Sequence, residues 1–183
     1  MQKVVLSEIS LIYGEIKTPK GFEIDRTKIK NDIISSFIKE DRISQNNKDY
    51  SYQDYKVPFS LPLQWLKDYL RDHVNLEHNI TLIPKIDSGL ILNPKEKSFL
   101  RNQVDPVDLR NSADYTLIYI VDCEEKSCEL IIEFDDNRRK GRTWHVPIKN
   151  NCFYIFPATQ KYFISENKSK KINVFLIMTY EYI

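Results

Sequence analysis

Residues 99–108 read FLRNQVDPVD, and two of them could do chemistry. Gln103 stands two positions before Asp105, ahead of a strand-like run, which is the spacing of half a metal site. An amide oxygen and a carboxylate are hard donors, and an oxygen-rich set suits magnesium, calcium or manganese better than a soft metal. The plain alternative is a loop: Asp105 precedes Pro106, and aspartate before proline starts a turn by itself. The remaining ligand types are thinly spread. His73, His78 and His145 are scattered, with no HExxH or HxD pattern, and Cys123, Cys128 and Cys152 form no CxxC pair. Four glycines in the whole chain leave no GxGxxG and no GxxxxGK[ST], so phosphate-cradling chemistry has no motif to rest on.

Composition narrows the class. The chain has 183 residues, 42% of them hydrophobic and 29% charged, with a formal net charge of +1. That length suits a single domain, 1–183, able to bury a core without staples. The charge balance predicts no nucleic-acid partner and no anionic membrane partner. No apolar run is as long as a spanning helix, and the opening MQKVVLSEIS lacks the pattern of a signal peptide. Three cysteines are an odd and sparse set, which predicts a cytoplasmic, reduced protein, although Cys123 and Cys128 could meet across a turn.

The elements that must position Gln103 and Asp105 fall into two halves. Over residues 1–80, KVVLSEISLIYGEIK predicts one or two strands with a turn at Gly14. DRTKIKNDIISSFIKE predicts a helix capped by Asp25, with Ile29, Ile33, Ile34, Phe37 and Ile38 on one face. DRISQNNKDYSYQDYK predicts a surface loop. SLPLQWLKDYLRDHV predicts a second helix capped by Ser60, with Pro62 in its first turn and Leu63, Leu66, Leu70 and Val74 inward. Over residues 81–183 the pattern changes to short β-branched and aromatic runs split by turn residues: TLIPKIDSGLILN, DYTLIYIVD, CELIIEFDD, RTWHVPIK, NCFYIFPA, KYFISEN and KINVFLIMTYEYI. Helices followed by many strands predict an α+β protein built around a sandwich or small barrel. DDNRRKGR, residues 135–142, is expected to be a solvated hairpin loop rather than a phosphate or nucleic-acid site.

The order QVDP, DYTLIYIVD, CELIIEFDD, HVPIKNNCFYIFPATQKYFI and NKSKKINVFLIMTYEY resembles the iron(II)- and 2-oxoglutarate-dependent oxygenases, of the prolyl-hydroxylase-like and phage or marine type. The resemblance covers roughly residues 82–183. It implies a double-stranded β-helix core (jelly-roll, cupin-like) with N-terminal supporting helices. It also implies iron(II) and 2-oxoglutarate as cofactors, and a small-molecule or peptide substrate. Carried over residue by residue, it places Gln103 at the first imidazole ligand, Asp105 at the carboxylate ligand and Tyr162 at the second imidazole. Gln160 becomes the alternative if the turn is shifted, and His145, on the neighbouring strand, is a further candidate. Lys171 or Lys170 falls where the family has the arginine that pairs with 2-oxoglutarate. Against the family pattern, both imidazoles are replaced and the metal site is degenerate. Asn150–Asn151 stands where the family has proline-glycine, a mild change because asparagine tolerates positive φ. The expected function is therefore an oxygenase-like protein with impaired or absent iron binding. The second reading is a non-catalytic jelly roll used for binding or assembly.

Overall fold

A computed structural model describes residues 9–44, 55–137 and 140–182. The elements run β1 (Ile12–Glu15), α1 (Arg26–Ser44), β2 (Tyr55–Lys56), α2 (Leu61–His78), β3 (Leu82–Leu92), β4 (Tyr115–Asp122), β5 (Glu129–Asn137), β6 (Lys140–Pro147), β7 (Cys152–Pro157), β8 (Lys161–Ile164) and β9 (Asn173–Tyr182). The strands form a large antiparallel sheet in the order β1-β7-β4-β9-β3-β2 and a smaller one in the order β6-β5-β8. Two sheets of this kind enclosing one core, with two helices outside, make an α+β jelly roll.

The near-continuous apolar runs of β4 and β9 follow from their position, because both are buried on both faces. Alternation splits their side chains between two cores. Leu117, Tyr119 and Val121 of β4, with Leu176, Met178 and Tyr180 of β9, face the helices. There they meet Ile29 and Ile33 of α1 and Leu63, Leu66, Leu70 and Val74 of α2. Ile118 and Ile120, with Phe175 and Ile177, face the other way. Across the interior they meet Leu130 and Ile132 of β5, Tyr154 and Phe156 of β7, and Tyr162 and Ile164 of β8.

Each expected strand in the second half occurs, and both helices occur. Asp25 caps α1, its Oδ1 accepting the Lys28 N–H at 2.9 Å. Four expectations need correction. Ile38 is exposed rather than on the buried face of α1. Ser60 occupies the cap position of α2, but its hydroxyl makes no capping bond, and the Ser60 carbonyl accepts from Gln64 instead. Gly14 lies inside β1 opposite Phe153, whose ring occupies the space a side chain would need, so this glycine serves close approach rather than a turn. Residues 41–44 extend α1, while 45–54 of the expected loop lie outside the described residues. Residues 135–137 and 140–142 belong to the paired strands β5 and β6, so DDNRRKGR is the closing end of a hairpin, with residues 138–139 outside the described set.

The loop before β9 hangs on one side chain. Asn167 is fully buried, and its Nδ2 donates to the carbonyls of Leu92 (3.0 Å) and Lys171 (2.8 Å). Its Oδ1 accepts the Ser169 N–H at 2.9 Å. Replacing it with alanine removes the side-chain donor to the Leu92 carbonyl and the acceptor of the buried Ser169 N–H, each loss costing about 1–3 kcal/mol, while the Lys171 carbonyl keeps Ser169 Oγ at 2.7 Å. Asn167→Ala is therefore expected to lower unfolding free energy by roughly 3 kcal/mol or more, measured by urea titration. Asn167→Asp should do nearly as badly, because it keeps the acceptor and removes both donors.

Candidate functional site

The FLRNQVDPVD stretch forms a fourth edge on the small sheet. Arg101 and Tyr162 exchange both backbone hydrogen bonds, at 3.0 and 2.8 Å. Ser98 N–H donates to the Ile164 carbonyl and Gln103 N–H to the Ala158 carbonyl, so residues 98–103 run antiparallel to β8 and the turn before it. This pairing places the amide of Gln103 beside the phenol of Tyr162. Gln103 Nε2 donates to Tyr162 Oη at 2.9 Å, linking residues 59 positions apart.

Tyr162 is wholly buried and packs edge-on against Phe156, with ring centroids 5.3 Å apart. It thus combines core packing with a polar contact at its hydroxyl. Asp105 lies just beyond, exposed, in a self-contained turn. Its Oδ1 accepts the Val107 N–H at 2.8 Å across Pro106, and Ser112 Oγ accepts the Asp105 N–H at 2.8 Å. The turn chemistry expected of an Asp-Pro pair is present here.

The remaining candidates are dispersed. Gln160 lies in the turn before β8 and lines a cavity of about 160 Å³, together with Ile132, Trp144, Phe156 and Leu11. Phe156 is the ring packed edge-on against Tyr162, and Ile132 is the residue paired opposite Tyr162 on β5, so this cavity lies one residue layer from Tyr162. His145 is exposed and does not join the corner. Trp144 lines the cavity and Val146 packs on the inner core, so strand alternation turns His145 outward, where Nδ1 lies 2.9 Å from Glu129 Oε2. Lys170 and Lys171 are exposed and border a different cleft, with Lys30, Asp122, Cys123 and Lys168. Among the described residues, no group of three or more histidine, cysteine, aspartate or glutamate side chains could hold a metal ion.

Asn173 carries no motif in the sequence, yet it is the polar residue of β9 on the inner face. It is fully buried, two positions before Phe175. Its Nδ2 donates to Ser127 Oγ at 2.9 Å and to Cys128 Sγ at 3.4 Å. The available signal was period-two alternation, which puts Asn173, Phe175 and Ile177 on one side.

The strand order identifies this architecture among known structures. The chain has the fold of the 2-oxoglutarate- and iron(II)-dependent oxygenases. No protein-family model and no curated protein sequence matches it, and the relationship is one of shape. The viral collagen prolyl hydroxylase of Paramecium bursaria Chlorella virus-1, solved as its 2OG complex, superposes with a TM-score of 0.57 at 13% identity, covering 92% of this chain and 94% of that one. SnoK, a non-heme α-ketoglutarate-dependent carbocyclase of nogalamycin biosynthesis, gives 0.60 at 9%, covering 94% and 80%. An oxidoreductase of the 2OG-Fe(II) oxygenase family from Burkholderia pseudomallei gives 0.53 at 6%, covering 73% and 64%. In this oxygenase fold, Gln103 and Tyr162 lie on neighbouring paired segments of the small sheet.

Proposed function

We propose that this chain is an oxygenase-fold protein that does not hold iron(II) at the oxygenase corner, and that it binds a ligand rather than oxidising one. The observation that carries the reading is the Gln103–Tyr162 hydrogen bond. A ferrous site of this family needs two imidazoles and a carboxylate converging on one metal, with open positions for cosubstrate and oxygen. Here an amide N–H is donated to a phenol oxygen at the two positions where the family has imidazoles. An amide oxygen is a weak ligand for iron(II), and a phenol ligates well only after losing a proton ordinarily held to about pH 10. The carboxylate of Asp105 is turned to the Val107 N–H. These residues do not fit the metal.

The cosubstrate end supports the same reading. Lys170 and Lys171 lie on the cleft beside Cys123, while Gln160 lies on the cavity beside Phe156. That cavity is apolar, and its volume is close to that of known dry cavities that admit a single benzene-sized ring. Trp144, 58% exposed, stands at its rim. A small apolar or aromatic group is therefore the class of ligand, or of ligand portion, that the site would accept.

Isothermal titration of the apo protein with manganese(II) or iron(II), with and without 2-oxoglutarate, tests the proposal together with a succinate-release assay. The expected result is no saturable metal binding and no succinate. Saturable binding of both metal and 2-oxoglutarate with turnover would overturn it.

A further inference from the structure

β4 ends at Asp122 and β5 begins at Glu129, so the chain must reverse within residues 123–128. The reversal is tight. Ser127 N–H donates to the Glu124 carbonyl at 3.1 Å, and Lys126 adopts the left-handed region at φ 61°. Closing the turn this way brings the sulfurs of Cys123 and Cys128 to 3.5 Å. The pair is embedded in polar contacts: Ser127 Oγ lies 3.4 Å from Cys123 Sγ and 3.8 Å from Cys128 Sγ, and Asn173 Nδ2 points at Cys128 Sγ from β9. Two donors, the Ser127 hydroxyl and the Asn173 amide, thus converge on Cys128 Sγ beside the Cys123 sulfur, which also lies 3.5 Å from the Glu124 carbonyl. Both cysteines are buried, Cys123 at 5% exposure and Cys128 at 3%, but Cys123 forms part of the floor of a cleft walled by Lys30, Lys168, Lys170 and Lys171 against Asp122 and Glu124. Lys30 is paired with Asp122 at 2.5 Å. Lys168, Lys170 and Lys171 make no ion pair with a described residue, and the cleft keeps a positive balance.

We infer that Cys123 and Cys128 form a thiol–disulfide exchange site that takes anionic low-molecular-weight disulfides from the lysine-walled cleft and closes to an intramolecular disulfide. Hydrogen bonding with Cys123, Ser127 and Asn173 holds the Cys128 thiol below the ordinary thiol range, while the same Cys123–Cys128 bond and burial raise Cys123. Cys128 therefore acts first as the base. The proton of Cys123 passes to the Cys128 thiolate as Cys123 sulfur attacks the incoming disulfide. One S–S bond breaks, a Cys123 mixed disulfide forms, and one small thiolate leaves. Cys128 then gives its proton to water or to that thiolate and attacks the Cys123 sulfur, and the second small thiol departs. In sum, two protein thiols lose two electrons and two protons, and one small disulfide is reduced to two thiols. The new bond links the ends of β4 and β5 and withdraws Cys128 as the acceptor of Asn173.

Reduced, desalted protein treated with glutathione disulfide, or with the cationic cystamine, tests this by intact mass and peptide mapping. Each rate is divided by that of a simple monothiol with the same reagent. The expected product is a Cys123–Cys128 disulfide, reversed by dithiothreitol. At low ionic strength the normalised rate should be about tenfold higher for glutathione disulfide than for cystamine, within the range of electrostatic steering, and the gap should close in salt. Lys168→Gln with Lys170→Gln should remove most of that preference. The rate should rise with pH as Cys128 deprotonates, reaching its plateau at a lower pH than the simple monothiol does. Cys128→Ser, which loses the base as well as the second thiol, should react more slowly and stop at a mixed disulfide on Cys123, Cys123→Ser should form neither species, and Cys152→Ser should behave as wild type. Equal normalised rates for the two reagents, or modification confined to Cys152 in folded wild-type protein, would overturn the inference without touching the proposed loss of iron at the other site.

Discussion

The double variant Gln103→His, Tyr162→His is expected to bind iron(II) or manganese(II) more than ~100-fold more tightly than wild type, since loss of a merely outer-shell partner already shifts metal affinity 10–100-fold. Two imidazoles would then stand on the paired edges that now carry the amide and the phenol, with the Asp105 carboxylate two residues further on. The apo variant should be less stable. Tyr162 is wholly buried on Phe156, and its ring shrinks. Full truncation of a buried aromatic costs ~3–5 kcal/mol, so this smaller change should cost somewhat less. Metal should then restore stability by mass action, about 2.7 kcal/mol at a hundredfold excess over Kd. Thermal melts of wild type and variant with and without manganese(II) give the readout. A variant that folds yet shows no metal-dependent shift means that residues 103 and 162 do not mark the metal corner. Either single histidine variant should gain far less, because one imidazole and one carboxylate leave the metal mostly to water.

Gly89→Ala should be the most damaging single-methyl change in the molecule. Gly89 sits in β3 between Tyr55 and Leu176, facing α1. A Cβ there would lie 2.5 Å from Ile33 Cγ2 and 3.0 Å from Ile33 Cγ1. Ile33 is itself fully buried, so neither the side chain nor the helix can yield cheaply. Overpacking of this kind costs about 1–3 kcal/mol, or roughly 2–12 °C in Tm for a chain of this size. The partner change supplies the control. Ile33→Ala alone should cost ~2–5 kcal/mol, but in the Gly89→Ala background the added cost should fall by about 1 kcal/mol or more, as contacting residues couple. Strictly additive losses would show that the α1–β3 contact does not limit the site.

Much of the architecture was legible in the residues alone. Alternating β-branched and aromatic runs marked all seven strands after Leu82, and 3.6-residue spacing with Asp25 marked α1. Asn151 stands in the left-handed region at φ 63°, as an asparagine pair in place of proline-glycine allows. The exceptions share one cause: a local signal cannot know its neighbour across space. Gly14 reads as a turn until Phe153 is seen filling its face. Ser60 reads as a cap although its hydroxyl is buried without a partner among the described residues. Ile38 reads as core although no element covers it.

The functional residues divide along the same line. Sequence by itself determined which side chains carry chemistry and which are missing: a carboxylate at 105, no imidazole at 103 or 162, and two cysteines five positions apart. Only the tertiary structure decided how they are used, because strand period tells which residues share a face but not which face meets which. Antiparallel pairing of residues 98–103 with β8 joins Gln103 to Tyr162. The turn between β4 and β5 brings the two sulfurs within 3.5 Å, and β9 lays Asn173 against them.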